Sequence, residues 1–215
     1  MLMCFCLFAY MLGVSAGTDG VGEDNKKGDV AVKNLKRAMT LLDNTIDKCF
    51  KGSDLHMCDL YHLGNGRQEG TADVWPYTAA MEAVNGVMEA LQTLKGNCPE
   101  LYAKNMERYK CLMARLFDNL DYYKGTYTLT SYTQTKEWSV YGVHRSNTKG
   151  TAKVEGIENV YDDQMWLVRE LVRAYRNTGE KRYLVEAEYL ADYVIDGWDC
   201  TLDANGHENG GITWG

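Results

Sequence analysis

The sequence predicts an all-α fold of paired antiparallel helices with one short β-like hairpin inserted. Three observations carry that prediction. Five stretches repeat apolar residues at the alternating three-and-four spacing of a helix face. Some of the turns between them are short, of the length that sets neighbouring helices antiparallel. One interval, from Tyr123 to Val143, is rich in Thr, Tyr, Trp and Val and has no helical period.

From Asp29 to Phe50 the residues Val32, Leu35, Met39, Leu42, Ile46 and Cys49 form one stripe of a helix. A second helix is predicted over Pro76 to Leu94, with Pro76 in the first turn, where its missing N–H is harmless. Ala80, Ala83, Val87, Leu91 and Leu94 point inward from it. Gly96-Asn97 ends this helix, and Pro99 opens a third through Leu101, Tyr109, Leu112, Leu116 and Leu120. The interval Tyr123 to Val143 reads as a short hairpin or extended loop. A fourth helix is predicted over Tyr161 to Asn177 and a fifth over Lys181 to Gly197, joined by the turn Thr178-Gly179-Glu180. Asn205-Gly206 reads as a tight hairpin turn.

At 215 residues the chain is long enough for one domain with a substantial core. The formal charge of −7 supplies no basic face, so no nucleic-acid partner is expected. Met1 to Val14 is almost wholly apolar, and Val14-Ser15-Ala16 resembles a small-residue cleavage site. Residues 1–16 therefore read as a signal peptide, although no Lys or Arg precedes Lys26. The run is too short for a stable membrane span, which needs ~20 apolar residues. Residues 17–28 read as a polar, Gly-rich linker and residues 29–215 as the folded domain. The expected location is outside the cytoplasm: periplasm, cell surface or medium. Oligomeric state is not legible from the sequence.

After cleavage the chain would keep Cys49, Cys58, Cys98, Cys111 and Cys200, an odd number at irregular spacing, which is not a disulfide framework. Asp54, His56, Cys58, Asp59 and His62 gather metal-ligand residue types without a zinc spacing. Asp203-Ala204-Asn205-Gly206 lacks the remaining ligands of a calcium loop. No metal and no cofactor is expected.

The strongest functional signal is the doublet Asp162-Asp163 within Val160-Tyr161-Asp162-Asp163-Gln164-Met165-Trp166. Glycosidic bond cleavage needs one protonated and one ionised carboxyl group, with aromatic faces to hold a sugar ring. The competing explanation is structural, because Asp is common in the first turn of a helix, where it meets free N–H groups and the positive dipole end.

The surrounding motifs decide between these. The doublet motif, the Thr178-Gly179-Glu180-Lys181 turn, the pair Trp198-Asp199 and Gly210-Gly211-Ile212-Thr213-Trp214-Gly215 follow one another in an order that closely resembles glycoside hydrolase family 76, the endo-α-1,6-mannanases and their fungal cell-wall relatives. The likeness is strongest from about Trp138 onward and looser from Trp75 to Leu120. The resemblance implies an (α/α)6 helical barrel, incomplete here, because five helices do not make twelve. The chain thus reads as the N-terminal part of such a domain.

The resemblance also implies a retaining mechanism on α-1,6-linked mannose, with mannan or mannose oligosaccharide as substrate. Asp162 would attack the anomeric carbon. Asp163 would protonate the leaving oxygen and later deprotonate water. Retention asks for carboxyl groups about 5–5.5 Å apart. Asp163 must also stay protonated, and coupling to Asp162 is the expected cause, since the helix N-terminus favours anions. Tyr161, Gln164, Trp75, Trp138 and Trp214 are the expected substrate-binding residues, while Trp166 is expected to pack inward. Two other outcomes stay open: a transglycosidase acting on cell-wall or anchor mannose glycans, and an inactive sugar-binding remnant. A helical-toroid enzyme for uronates would want a basic cleft, which this acidic chain does not advertise.

Overall fold

The computed structural model describes residues 21–212, so the signal peptide read over 1–16 and the candidate Trp214 lie outside the described residues. Five α-helices occur among them: α1 (Val21–Cys49), α2 (Val74–Thr93), α3 (Pro99–Leu120), α4 (Tyr161–Thr178) and α5 (Lys181–Asp196). The last four lie within a few residues of their predicted bounds. Helix α1 starts earlier than its apolar stripe, so much of the segment read as linker is helical. No proline interrupts it, and the single Gly28 costs only about 1 kcal/mol relative to Ala.

Helix α2 is the centre of the core. It buries Val74, Tyr77, Ala80, Met81, Val84, Val87, Met88 and Leu91, a face wider than one stripe, because α1, α3 and α4 all pack on it. Helix α3 returns antiparallel, so the Tyr77 hydroxyl near the start of α2 donates to the Leu116 carbonyl near the end of α3 at 3.0 Å. Helices α4 and α5 form the second antiparallel pair. Gly179 caps α4 in the left-handed region at φ +79°, and its N–H donates to the Tyr175 carbonyl at 2.7 Å. A side chain at that φ would be strained.

Helices α2 and α4 run parallel, since their contacts advance together along both. Trp75 meets Trp166, Asn85 meets Glu170, and Gln92 meets Asn177. Glu170 is fully buried and accepts from Asn85 Nδ2 at 3.0 Å, Arg169 Nε at 2.8 Å and Arg173 Nη1 at 2.9 Å. Arg173 reaches on to Glu89 at 2.8 Å. A buried carboxylate so fully partnered fixes the register of the two helices, since any slip would strand its charge.

The interval Tyr123 to Val143 forms the expected hairpin, β5 (Lys124–Thr130) with β6 (Thr135–Tyr141), pairing Tyr127 with Trp138. Two further hairpins of two residues per strand were not expected: β1 (Phe50–Lys51) with β2 (His56–Met57), and β3 (Leu60–Tyr61) with β4 (Gln68–Glu69). Strands this short leave no alternation to read. The turn at Asn205-Gly206 is present, with Asp203 N–H donating to the His207 carbonyl at 2.7 Å. No helix among the described residues is long and apolar enough to cross a membrane.

Candidate active site

A chain of backbone hydrogen bonds places the starts of α2 and α4 side by side. Val74 N–H donates to the Val143 carbonyl at 2.8 Å, and Val143 N–H donates to the Glu158 carbonyl at 2.7 Å. The first residue of α2 and the segment just ahead of α4 are thereby stitched to one loop.

Gln164 completes this stitching. It is fully buried, its Nε2 donates to the Tyr141 carbonyl at 2.5 Å and to Asn159 Oδ1 at 3.0 Å, and its Oε1 accepts from Tyr141 N–H at 3.2 Å. The expectation that Gln164 binds sugar is therefore corrected: its amide is saturated by protein. It clamps the end of β6 to the first turn of α4, and so aims the doublet.

Tyr161 is also buried, at 7% exposure, with its ring 5.0 Å from that of Tyr193. Gly197 makes room for it, since a Cβ there would lie 2.5 Å from Tyr161 Cζ. Tyr161 therefore packs inward at the start of α4, against Tyr193 and the end of α5.

The two aspartates differ. Asp162 is exposed, and its Oδ1 accepts the Asp163 N–H at 3.0 Å. Asp163 is half-buried, and its carboxyl is pushed up to about 6, first by burial, then by the charge of Asp162, then by that of Asp73. Coupling to Asp162 thus contributes as expected, but desolvation is the larger cause. The periodicity of α4 could not show this, because the depth of a first-turn side chain depends on what packs beside it.

Asp73, His144 and Glu158 did not stand out in the sequence. Asp73 is the N-cap residue of α2 but makes no side-chain cap bond. Its carboxylate pairs with His144 Nδ1 at 2.7 Å, and His144 Nε2 lies 3.8 Å from Glu158. The one available signal was Asp73 standing just before a helix start; its approach to Asp163 is a matter of topology.

The tryptophans divide sharply. Trp75 is 38% exposed and meets Trp166 edge-on, with centroids 5.5 Å apart and an interplanar angle of 87°. Trp166 is only partly buried, and the Arg169 guanidinium covers its ring at 4.7 Å. Trp138 is 1% exposed, packed edge-on against Tyr189 and Tyr193. Its expected role in stacking on sugar is corrected: it fills the core beneath the hairpin.

The polar cluster near His56 disperses, with Asp54 on Arg145 at 2.7 Å, His56 on Thr71 at 2.9 Å, and His62 and Arg67 both on Glu69 at 3.0 and 2.8 Å. Among the described residues no group of three or more His, Cys, Asp or Glu side chains is arranged to hold a metal ion.

No protein-family model and no curated protein matches this sequence. Among the solved structures similar to this chain are two family 76 glycoside hydrolases. One is a family 76 glycoside hydrolase from a bovine Bacteroides thetaiotaomicron strain, 20% identical, with a TM-score of 0.53, covering 84% of this chain and 32% of its own. The other is a family 76 glycoside hydrolase (mannosidase) from Bacteroides thetaiotaomicron VPI-5482, 22% identical, with a TM-score of 0.48, covering 84% of this chain and 40% of its own. The present chain therefore spans well under half the length of either. Its fold is that of part of a glycoside hydrolase family 76 structure.

Proposed function

We propose that this chain carries the catalytic doublet of a retaining glycoside hydrolase acting on α-1,6-linked mannose, and that it works outside the cytoplasm. The observation that carries the proposal is the asymmetry of Asp162 and Asp163. One carboxylate is exposed in the first turn of α4, where the helix dipole favours its charge. Its neighbour is half-buried, with its carboxyl raised to about 6. Environments that push two adjacent carboxyl groups apart define an acid and a nucleophile.

In the first step Asp162 attacks C1 of the mannose while Asp163 gives its proton to the glycosidic oxygen, and the C1–O bond breaks. In the second, Asp163 takes a proton from water, the water oxygen bonds to C1, and Asp162 leaves. Trp75, exposed beside the doublet's helix, offers an apolar face for a sugar ring.

The test is release of mannose oligosaccharides from unbranched α-1,6-mannan by the protein, beside Asp162→Asn and Asp163→Asn variants. Turnover that either substitution reduces by about 10³-fold or more supports the reading, since a covalent mechanism needs both groups. A folded protein that binds mannan and releases nothing overturns it.

A further inference from the structure

Cys49 is the last residue of α1 and Cys58 follows the strand His56–Met57. The hairpin register pairs Phe50 with Met57 and Lys51 with His56, so Cys49 and Cys58 are the next opposed positions. The backbone confirms it, with Cys58 N–H donating to the Cys49 carbonyl at 2.8 Å. Opposed residues joined in this way hold their Cα atoms about 5.5 Å apart, within the 4.4–6.8 Å range that a disulfide spans. The Cys58 thiol lies beside that of Cys49, and both are free. Counting cysteines gave no framework, because an odd total says nothing about which two meet in space.

We propose that Cys49 and Cys58 form a disulfide when the protein meets an oxidising thiol–disulfide couple. The bond ties the end of α1 directly to the hairpin that follows it. The oxidant is a small disulfide such as oxidised glutathione. The thiolate of Cys49, the more exposed of the two, attacks one sulfur of the donor and expels a thiolate, leaving a mixed disulfide. The Cys58 thiolate then attacks the Cys49 sulfur and expels the second donor thiolate. The two electrons go to the donor, and the two thiol protons go to the released thiolates. Burial pushes the Cys49 thiol up to about 11, so exchange is slow at neutral pH and quickens in mildly alkaline buffer.

The test is a peptide map of the native full-length chain after incubation with oxidised glutathione, alkylation and trypsin. Cleavage after Lys48, Lys51 and Arg67 yields the tripeptide Cys49-Phe50-Lys51 and the peptide of residues 52–67. The proposal expects these two joined, separated by reductant, and protected from alkylation before it. In a Cys58→Ser variant the same treatment leaves glutathione stably attached to Cys49. Full alkylation of both cysteines after oxidation, or Cys49 joined to Cys98, Cys111 or Cys200 instead, overturns the proposal.

Discussion

The charge of Asp73 helps hold the proton on Asp163, acting between the starts of two parallel helices. Asp73 is itself held by His144 at 2.7 Å. The candidate acid therefore answers to a residue on another helix, and not only to its neighbour in the chain.

Asp73→Asn removes one of the three influences that raise Asp163. The alkaline limb of the pH–rate profile, which marks loss of the acid's proton, should move to lower pH. The shift should be smaller than the change Asp162→Asn makes in the Asp163 titration followed by carbon-13 NMR. An unmoved limb would separate Asp73 from the acid.

Asp163 should also mark the pH dependence of stability. Its carboxyl rises from 3.8 to about 6 on folding. The folded state thus holds the proton more tightly, and ionisation opposes folding. That opposition is complete above pH 6 and vanishes as pH falls below the unfolded value. Asp163→Asn should stabilise the protein by about 1–2 kcal/mol at pH 7, after allowance for solvent screening, and by almost nothing at pH 3. Urea unfolding at both values measures the difference.

Gln164→Ala leaves the Tyr141 backbone and Asn159 without their partner. The expected cost is about 2–4 kcal/mol. Because the clamp aims the first turn of α4, turnover should fall as well, even at temperatures where the variant stays folded. A lower melting temperature with unchanged kcat would limit Gln164 to stability.

Trp75 and Trp138 should behave oppositely. Trp75→Ala should leave folding nearly intact and raise KM for mannan about three- to tenfold, the loss of one stacking face. Trp138→Ala should cost about 3–5 kcal/mol of stability, since its ring lies wholly in the core. Melting curves and mannan kinetics on the two variants distinguish these roles.

What the sequence disclosed follows from which interactions are local. Helix bounds from Pro99 to Asp196 were legible because apolar spacing, Pro99 and Gly179 are local signals. The doublet stood out as a candidate because its two residues are adjacent and its motif is distinctive. Gln164 and Trp138 were misread because their burial depends on the β5–β6 hairpin folding over the start of α4, which no residue spacing encodes. Asp73 and His144 were invisible for the same reason: they reach the site through the parallel packing of α2 on α4 and the loop between β6 and α4. The Cys49–Cys58 pairing likewise rests on a hairpin too short to show a period.

The most direct test of the doublet's assigned roles is azide rescue of an Asp163→Ala variant on an aryl α-mannoside with a good leaving group. Such a substrate needs no acid to form the mannosyl enzyme on Asp162. The account predicts that the intermediate accumulates in Asp163→Ala and that azide restores its turnover, yielding α-mannosyl azide, while azide acting on Asp162→Ala displaces the leaving group in a single inversion and yields only β-mannosyl azide. An α-configured azide from Asp162→Ala, or a β-configured azide from Asp163→Ala, would contradict it.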